Sequence, residues 1–397
     1  MEKMNMKQER EKMYQDFANE VDDRVQQNDI LPPVNIIVAG VTGAGKSTLL
    51  NAVFGENFAE TGQGAPVTAE IKMYEKDGYP VRIWDTCGFE LDQQRNDATI
   101  NDINDIIKDK DGKADKYDRI HALWYCVNAA GERFQEKEIK FIAGLKKNDY
   151  PFILVMTQCM APKRNAKFEA KIREALNQNN LSNIPIMQVL AKETEVEIGD
   201  REETISAKGV DELVLYVTEK MPDYIKNGII AAQQVSKTLK RQASTTEIEK
   251  YVEEAKHNVL DKIWIVNIPT VTHQIRGMFA VISQLYNTPL TREQLNEVID
   301  YSTAEWKGEI ATLLHPFRGK MPDELSSLIS KMELDTPLAN GKYGVGEKAS
   351  LFIAITGFKF MDAIETVWDK STREQVEDIN VRVDLLRAEL RKRFREG

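Results

Sequence analysis

Between Gly40 and Leu50 the chain reads GVTGAGKSTLL, directly behind the apolar run VNIIVAG. Gly40, Gly45, Lys46 and Ser47 have the spacing of a phosphate-gripping loop: a glycine, four free positions, then Gly-Lys-Ser/Thr. The intervening Val41, Thr42, Gly43 and Ala44 can turn backbone amides toward phosphate oxygens, and a helix starting near Lys46 adds the positive end of its dipole. In that chemistry the Lys46 ammonium reaches the outer phosphates and the Ser47 hydroxyl ligates Mg²⁺, with Thr48 beside it in the first helical turn. Downstream, in IWDTCGFE, Asp85 and Gly88 have the spacing Asp-x-x-Gly at the end of a strand-like run. A carboxylate there can hold Mg²⁺ through water, and the glycine amide can sense a γ-phosphate. Thr68, in GAPVTAEI between the two motifs, can close the metal shell when triphosphate is present. Lys46, Thr68 and Gly88 are thus the candidate catalytic residues, and Ser47, Thr68 and Asp85 the candidate metal ligands.

Such groups need strand ends and helix starts to hold them. From Val34 to about Met221, short β-rich runs alternate with charged helical ones, which predicts an α/β domain with a mostly parallel six-stranded sheet. The expected strands are 34–39, 69–75, 81–85, 121–127, 152–157 and 186–190. AEIKMYE and PVRIWD flank Asp77 and Gly78, a hairpin signal that makes one edge strand antiparallel. Ahead of this domain, Met13, Phe17, Val21 and Val25 share one helical face, and Pro32 and Pro33 stop that helix. After Met221 the strand signals cease. The pairs Ser244/Glu247, Thr291/Gln294 and Ser371/Glu374 have capping-box spacing, and Val376, Ile379, Val383, Leu386, Leu390 and Phe394 mark a last amphipathic helix. The expected organisation is an N-terminal helix over 1–33 that packs on the helical part, a nucleotide domain over 34–222, and an all-α domain over 223–397.

The order GVTGAGKS, PVTAEI, WDTCG resembles the translation-factor-like GTPases, in particular the Era-like group, some members of which carry a helical C-terminal extension. HALWYCVNAAGERF is similar to the strand and loop that follow the aspartate motif there, and residues 222–370 resemble, in texture, that extension and more distantly immunity-related and dynamin-like GTPases. The resemblance implies GTP or GDP with Mg²⁺ as ligands, slow hydrolysis at the γ-phosphate, and loops around Thr68 and Gly88 that change with the nucleotide and move the helices. It also implies a base site. Its usual reader, [NT]KxD, is here TQCM: Thr157 fits, Gln158 replaces the lysine, and Met160 stands in place of the aspartate. VLAKE then supplies Ala191 and Lys192 beside the base, and guanine is expected because the rest of the motif order is GTPase-like and leaves room for another acidic side chain to approach the base. Phe89 replaces the glutamine that orients water in many relatives, so turnover must use another group, such as Glu90, a mobile loop or a partner. Gly43 and Ala44 replace the asparagine that potassium-stimulated relatives have, which argues against potassium activation.

Composition narrows the alternatives. The 397 residues exceed the usual size of one core, and a net charge of −10 disfavours a protein that coats nucleic acid. The charged start does not fit a secretory signal, and the longest apolar run, Ala349–Phe358, is too short to span a bilayer. The three cysteines lack paired spacing and the four histidines are scattered, so a reducing cytoplasm without a zinc site is expected. The acidic stretch 109–118 fails the calcium-loop spacing and reads as a solvated loop. Arg133 is read as a surface residue in preference to an internal arginine finger, and the basic run from Arg387 to Arg395 as a charged helix face. A protein partner or self-association through the helices is expected. The rival readings are a nucleotide-binding scaffold, an ATPase with relaxed purine specificity, and a peripheral membrane protein of the dynamin-like kind.

Overall fold

The computed structural model describes residues 31–55, 58, 63–66, 71–86, 93–111, 115–145, 150–198, 201–257, 264–303, 321–332, 345–374, 376 and 378–395. The expected N-terminal helix, Thr68, and the segment from Cys87 to Glu90 lie outside them. The described residues form two compact units, Pro32–Ser236 and a helical unit running from Lys237 that also takes in Leu31.

The first unit is a sheet covered on both faces. Its strands are β1 (Val34–Gly40), β2 (Gln63–Pro66), β3 (Ile71–Lys76), β4 (Tyr79–Thr86), β5 (Ala122–Asn128), β6 (Phe152–Thr157) and β7 (Ile186–Gln188), in the spatial order β2-β3-β4-β1-β5-β6-β7. From β4 through β7 the pairing is parallel, whereas β3 runs antiparallel to β4. Every residue of β1 and of β6 is buried, as expected of strands sandwiched between helix layers. The helices are α1 (Lys46–Phe54), α2 (Gln93–Asp111), α3 (Glu136–Leu145), α4 (Pro162–Gln178), α5 (Val210–Lys220) and α6 (Asp223–Ala232). One face of the sheet gathers Ile37, Leu123, Tyr125 and Leu154 with Ile103 of α2, Ile142 of α3 and Phe168 of α4. On the other face Trp124 stacks on Phe54 of α1 at 6.1 Å.

All six expected strands are present, with small shifts at their ends. The Asp77–Gly78 turn joins β3 to β4 as the hairpin signal required. The sheet has one strand more than expected: β2, with sequence QGAP, pairs antiparallel with β3. Its glycine and proline carry no strand pattern, so the pairing is supplied by the neighbouring edge and not by propensity. A second hairpin, β8 (Thr194–Ile198) with β9 (Arg201–Ile205), was also not expected. Its signal was there to read: Val196 and Ile198 alternate with glutamates, and Gly199-Asp200 follows.

The change of pattern near residue 222 is not where the units divide. α6 belongs to the first unit because it packs on β4 and β1. A Cβ on Gly228 would come within 2.7 Å of the Pro32 carbonyl oxygen and 2.8 Å of a Val34 methyl, so only glycine allows this approach.

The helical unit contains α7 (Lys237–His257), α8 (Trp264–Leu285), α9 (Arg292–Thr303), α10 (Asp323–Lys331), α11 (Val345–Arg373) and α12 (Ile379–Arg395). α11 packs against α7, α8, α10 and α12. The apolar run Ala349–Phe358 is therefore the core of this bundle, and Phe360 just beyond it stacks on Phe279 of α8 at 4.0 Å. No described helix is long and apolar enough to cross a membrane.

Of the three capping boxes, one forms. The Thr291 amide donates to Gln294 Oε1 at 2.8 Å and the Gln294 amide to Thr291 Oγ1 at 3.3 Å. Ser244 instead lies buried inside α7 and donates to the Lys240 carbonyl at 2.9 Å, because that helix starts a full turn and more before it. Ser371 falls inside α11, and Asp378 caps α12 by accepting from the Asn380 amide at 2.8 Å. The last helix thus begins after Val376. Its basic face is paired: Arg387 and Arg391 reach Glu297 of α9 at 3.0 and 3.8 Å.

Candidate functional site

The carboxyl ends of the parallel strands bring the chemistry together. In the sheet register Val38 stands beside Asp85, Gly40 beside Cys126, and Asn128 beside Thr157. Gly40 ends β1 with φ +145°, and a Cβ there would sit 2.4 Å from the Cys126 carbonyl oxygen. This glycine lets the chain turn away from the sheet into the loop. Gly45, at φ 82°, is the N-cap of α1.

The loop is held from below by three hydrogen bonds. Lys46 Nζ donates to the Gly40 carbonyl at 3.0 Å, so the ammonium spans the loop. Thr157 Oγ1, at the end of β6, donates to the Ala44 carbonyl at 2.6 Å and lies 3.2 Å from the Val127 carbonyl. Asn128 Nδ2 donates to the Gly43 carbonyl at 3.2 Å, while its Oδ1 accepts from the amides of Ala130 and Gly131 at 2.8 and 3.3 Å. The Ala44 amide is also taken, donating to the Val41 carbonyl at 3.0 Å, so a ligand would have to be met by the other amides of the loop. Ala44 is buried, whereas Thr42, Gly43, Ser47 and Thr48 are exposed and open to solvent-borne ligands. Asn128 was missed in the sequence because its role depends on a partner 85 positions away.

Asp85 supplies the second element. Burial pushes its carboxyl up to about 6, against the lowering fields of Lys46 and Lys72. Its Oδ1 is buried without a hydrogen-bond partner among the described residues. A hard oxygen donor left unsatisfied in the field of an ammonium fits Mg²⁺ with a phosphate group. Ser47 and Asp85 are the described residues that would hold it.

Beside the loop is a cavity of about 330 Å³ lined in part by Gly45, Thr157, Gln158, Met160, Ala191 and Lys192. The structure thus gathers the expected base-site residues from two separate segments beside the glycine-rich loop. Gln158 adopts φ 54°, and the turn is pinned by Met160 N to Gln158 O at 2.9 Å and Cys159 N to Val189 O at 3.1 Å. The other wall is fixed by the reciprocal backbone pair of Leu190 and Lys208, both bonds at 2.9 Å. Leu190 and Thr194 complete that wall and had not been read as site residues. No carboxylate lines the cavity among the described residues. Glu193 sits in the wall segment but is exposed and is not on the cavity lining. Arg133 is exposed in the loop after β5.

Residues 35–158 match the family model described as 50S ribosome-binding GTPase. Among curated proteins, the chain is 26% identical over 168 residues to neuronal-specific septin-3 of Danio rerio, covering 36% of this chain and 46% of that protein. It is 34% identical over 95 residues to GTPase Der of Cereibacter sphaeroides, covering 23% of this chain and 18% of that protein. The chain therefore spans less than half the length of these relatives. Among solved structures, bacterial selenocysteine-specific elongation factor EF-Sec aligns at 15% identity and a TM-score of 0.32, over 48% of this chain and 29% of that one. The matched stretch, residues 35–158, is thus similar to a GTPase domain, and it carries the glycine-rich loop, Asp85 and the Thr157–Gln158 turn.

Proposed function

We propose that this protein binds GTP with Mg²⁺, hydrolyses it slowly, and uses the change of nucleotide to alter its helical unit. The observation that carries the reading is the loop bracketed by Lys46 and Thr157 with the unpartnered Asp85 Oδ1 in the field of Lys46. In this reading the loop amides and Lys46 bind the phosphates, Ser47 and Asp85 hold the metal, and Gln158, Ala191 and Lys192 flank the base. Mg²⁺, when bound, offsets charge on the outer phosphates. Thr68 and Gly88 are proposed to respond to the γ-phosphate, as the Era-like resemblance implies. The helical unit, with self-association or a protein partner, is proposed as the output. A reducing cytoplasm is proposed from the cysteine spacing, with Cys126 and Cys159 present as free buried thiols.

The test is Mg²⁺-dependent binding of GTP and GDP to the full chain, with phosphate release measured in parallel against Lys46→Ala. Micromolar binding and slow release, both lost in Lys46→Ala, are expected. Binding that ignores this substitution, or release no faster than that of the variant, would overturn the reading.

A further inference from the structure

We infer that the base cavity takes 6-oxopurine nucleotides without reading the substituent at C2, so that guanine, hypoxanthine and xanthine nucleotides bind alike. The inference rests on the proposed nucleotide reading and narrows its ligand class.

Guanine differs from hypoxanthine only by an amino group at C2, which donates two hydrogens and accepts nothing. Such a group adds affinity only where the site offers acceptors, and a carboxylate serves best because it is acceptor-only and charged. The lining here has a charged donor and neutral donors and acceptors, but no charged acceptor among the described residues. Lys192 brings an ammonium, Gln158 an NH₂ group, and Ala191 a backbone amide next to the Leu190 amide already bonded to Lys208. The lining hydroxyls are neutral: Thr157 Oγ1 is directed at the Ala44 and Val127 carbonyls, Thr194 Oγ1 donates to the Lys192 carbonyl at 3.1 Å, and these two and Thr48 can accept only as uncharged groups. Met160 presents a thioether, a weak acceptor, and Leu190 a hydrocarbon wall. Whichever way the ring is seated, the donors match the carbonyl at C6 that all three bases share. They oppose the amino group that adenine has at that position. The only side-chain amide oxygen on the lining is that of Gln158, a neutral acceptor whose bond with an amine largely replaces one with water. Sites that hydrogen-bond a substrate group discriminate strongly because that group, when missing, leaves them unpaired, and this cavity holds no such dependent carboxylate among the described residues.

The test uses the full chain with Mg²⁺ and a ribose-labelled fluorescent GDP, displaced by GDP, IDP, XDP and ADP. IDP and XDP are expected within about threefold of GDP, with ADP at least about tenfold weaker. A larger preference for GDP over IDP, or ADP as strong as GDP, overturns the inference while leaving a nucleotide site in place. Failure of all four to displace the label, or of the label to bind, defeats the underlying reading instead. Met160→Asp adds an acceptor to the wall and should raise the GDP-to-IDP preference about tenfold, whereas Met160→Leu should leave it unchanged. An unaltered preference in a folded Met160→Asp protein, judged by its circular dichroism, also counts against the inference.

Discussion

Thr157 Oγ1 lies 2.6 Å from the Ala44 carbonyl oxygen, joining the strand that borders the cavity to the glycine-rich loop. One side chain therefore ties together the two halves of the proposed ligand site. Thr157→Val keeps the shape and removes the donor, leaving a buried carbonyl short of a partner. Nucleotide affinity should fall about tenfold, in line with roughly 1–2 kcal/mol for such a loss. Isothermal titration with GDP checks this, and unchanged affinity would show that the hydroxyl does not hold the loop.

Asp85 makes the unliganded protein less stable. Its pKa is raised from 3.8 to about 6, so the folded state binds the proton more tightly than the unfolded chain. The stability relative to a neutral side chain is thus lost as pH rises from about 4 to about 6, and the penalty persists above that, on the order of 2–3 kcal/mol. Asp85→Asn should raise the unliganded melting temperature at pH 7.5 and abolish the gain in nucleotide affinity that Mg²⁺ brings. Thermal melts and binding at two Mg²⁺ levels check both halves.

His121 has the opposite sense. Burial, the largest cause, and the charge of Arg119 lower its pKa to about 4 against a raising bond to the Lys116 backbone, while Nδ1 accepts from the Asn35 amide at 3.0 Å. The neutral ring contributes stability that is full above about pH 6.5 and is lost as pH falls toward 4. His121→Gln can retain an acceptor without titrating. Urea midpoints between pH 4 and 7 should fall less steeply in the variant, and parallel slopes would assign the dependence to other groups.

In the helical unit, Arg241 of α7 bonds Glu324 of α10 at 2.8 Å and Glu365 of α11 at 2.7 Å, and Tyr286 donates to the same Glu365 at 2.9 Å. Burial raises the Glu365 pKa, with Arg241 opposing it. Arg241→Ala leaves that carboxylate without its cation and should cost about 2–3 kcal/mol. Removing Lys226, whose partner Asp223 is exposed, should cost under about 0.5 kcal/mol. Denaturant curves of both variants test the contrast.

What could be read from the sequence is what is local. The phosphate loop occupies consecutive positions from Gly40 to Ser47, and its function depends on glycine geometry, one ammonium and one hydroxyl within that span. The Asp77–Gly78 hairpin and the alternation of buried strands with charged helices are likewise set by neighbouring residues, so the order of elements was legible. Tertiary structure decided what depends on the far side of a contact. Ser244 is a buried mid-helix residue and not a cap because α7 meets the bundle there, and the Ala349–Phe358 run is core because helices surround it. The basic face of α12 is partly neutralised by Glu297, a fact of packing and not of composition. The base cavity is made of three distant segments, so sequence showed that Met160 replaces a carboxylate but not that no other acid takes its place on the lining. Desolvation and partner choice arise only when the chain is folded, and they turned Asn128 and Thr157 into supports of the loop.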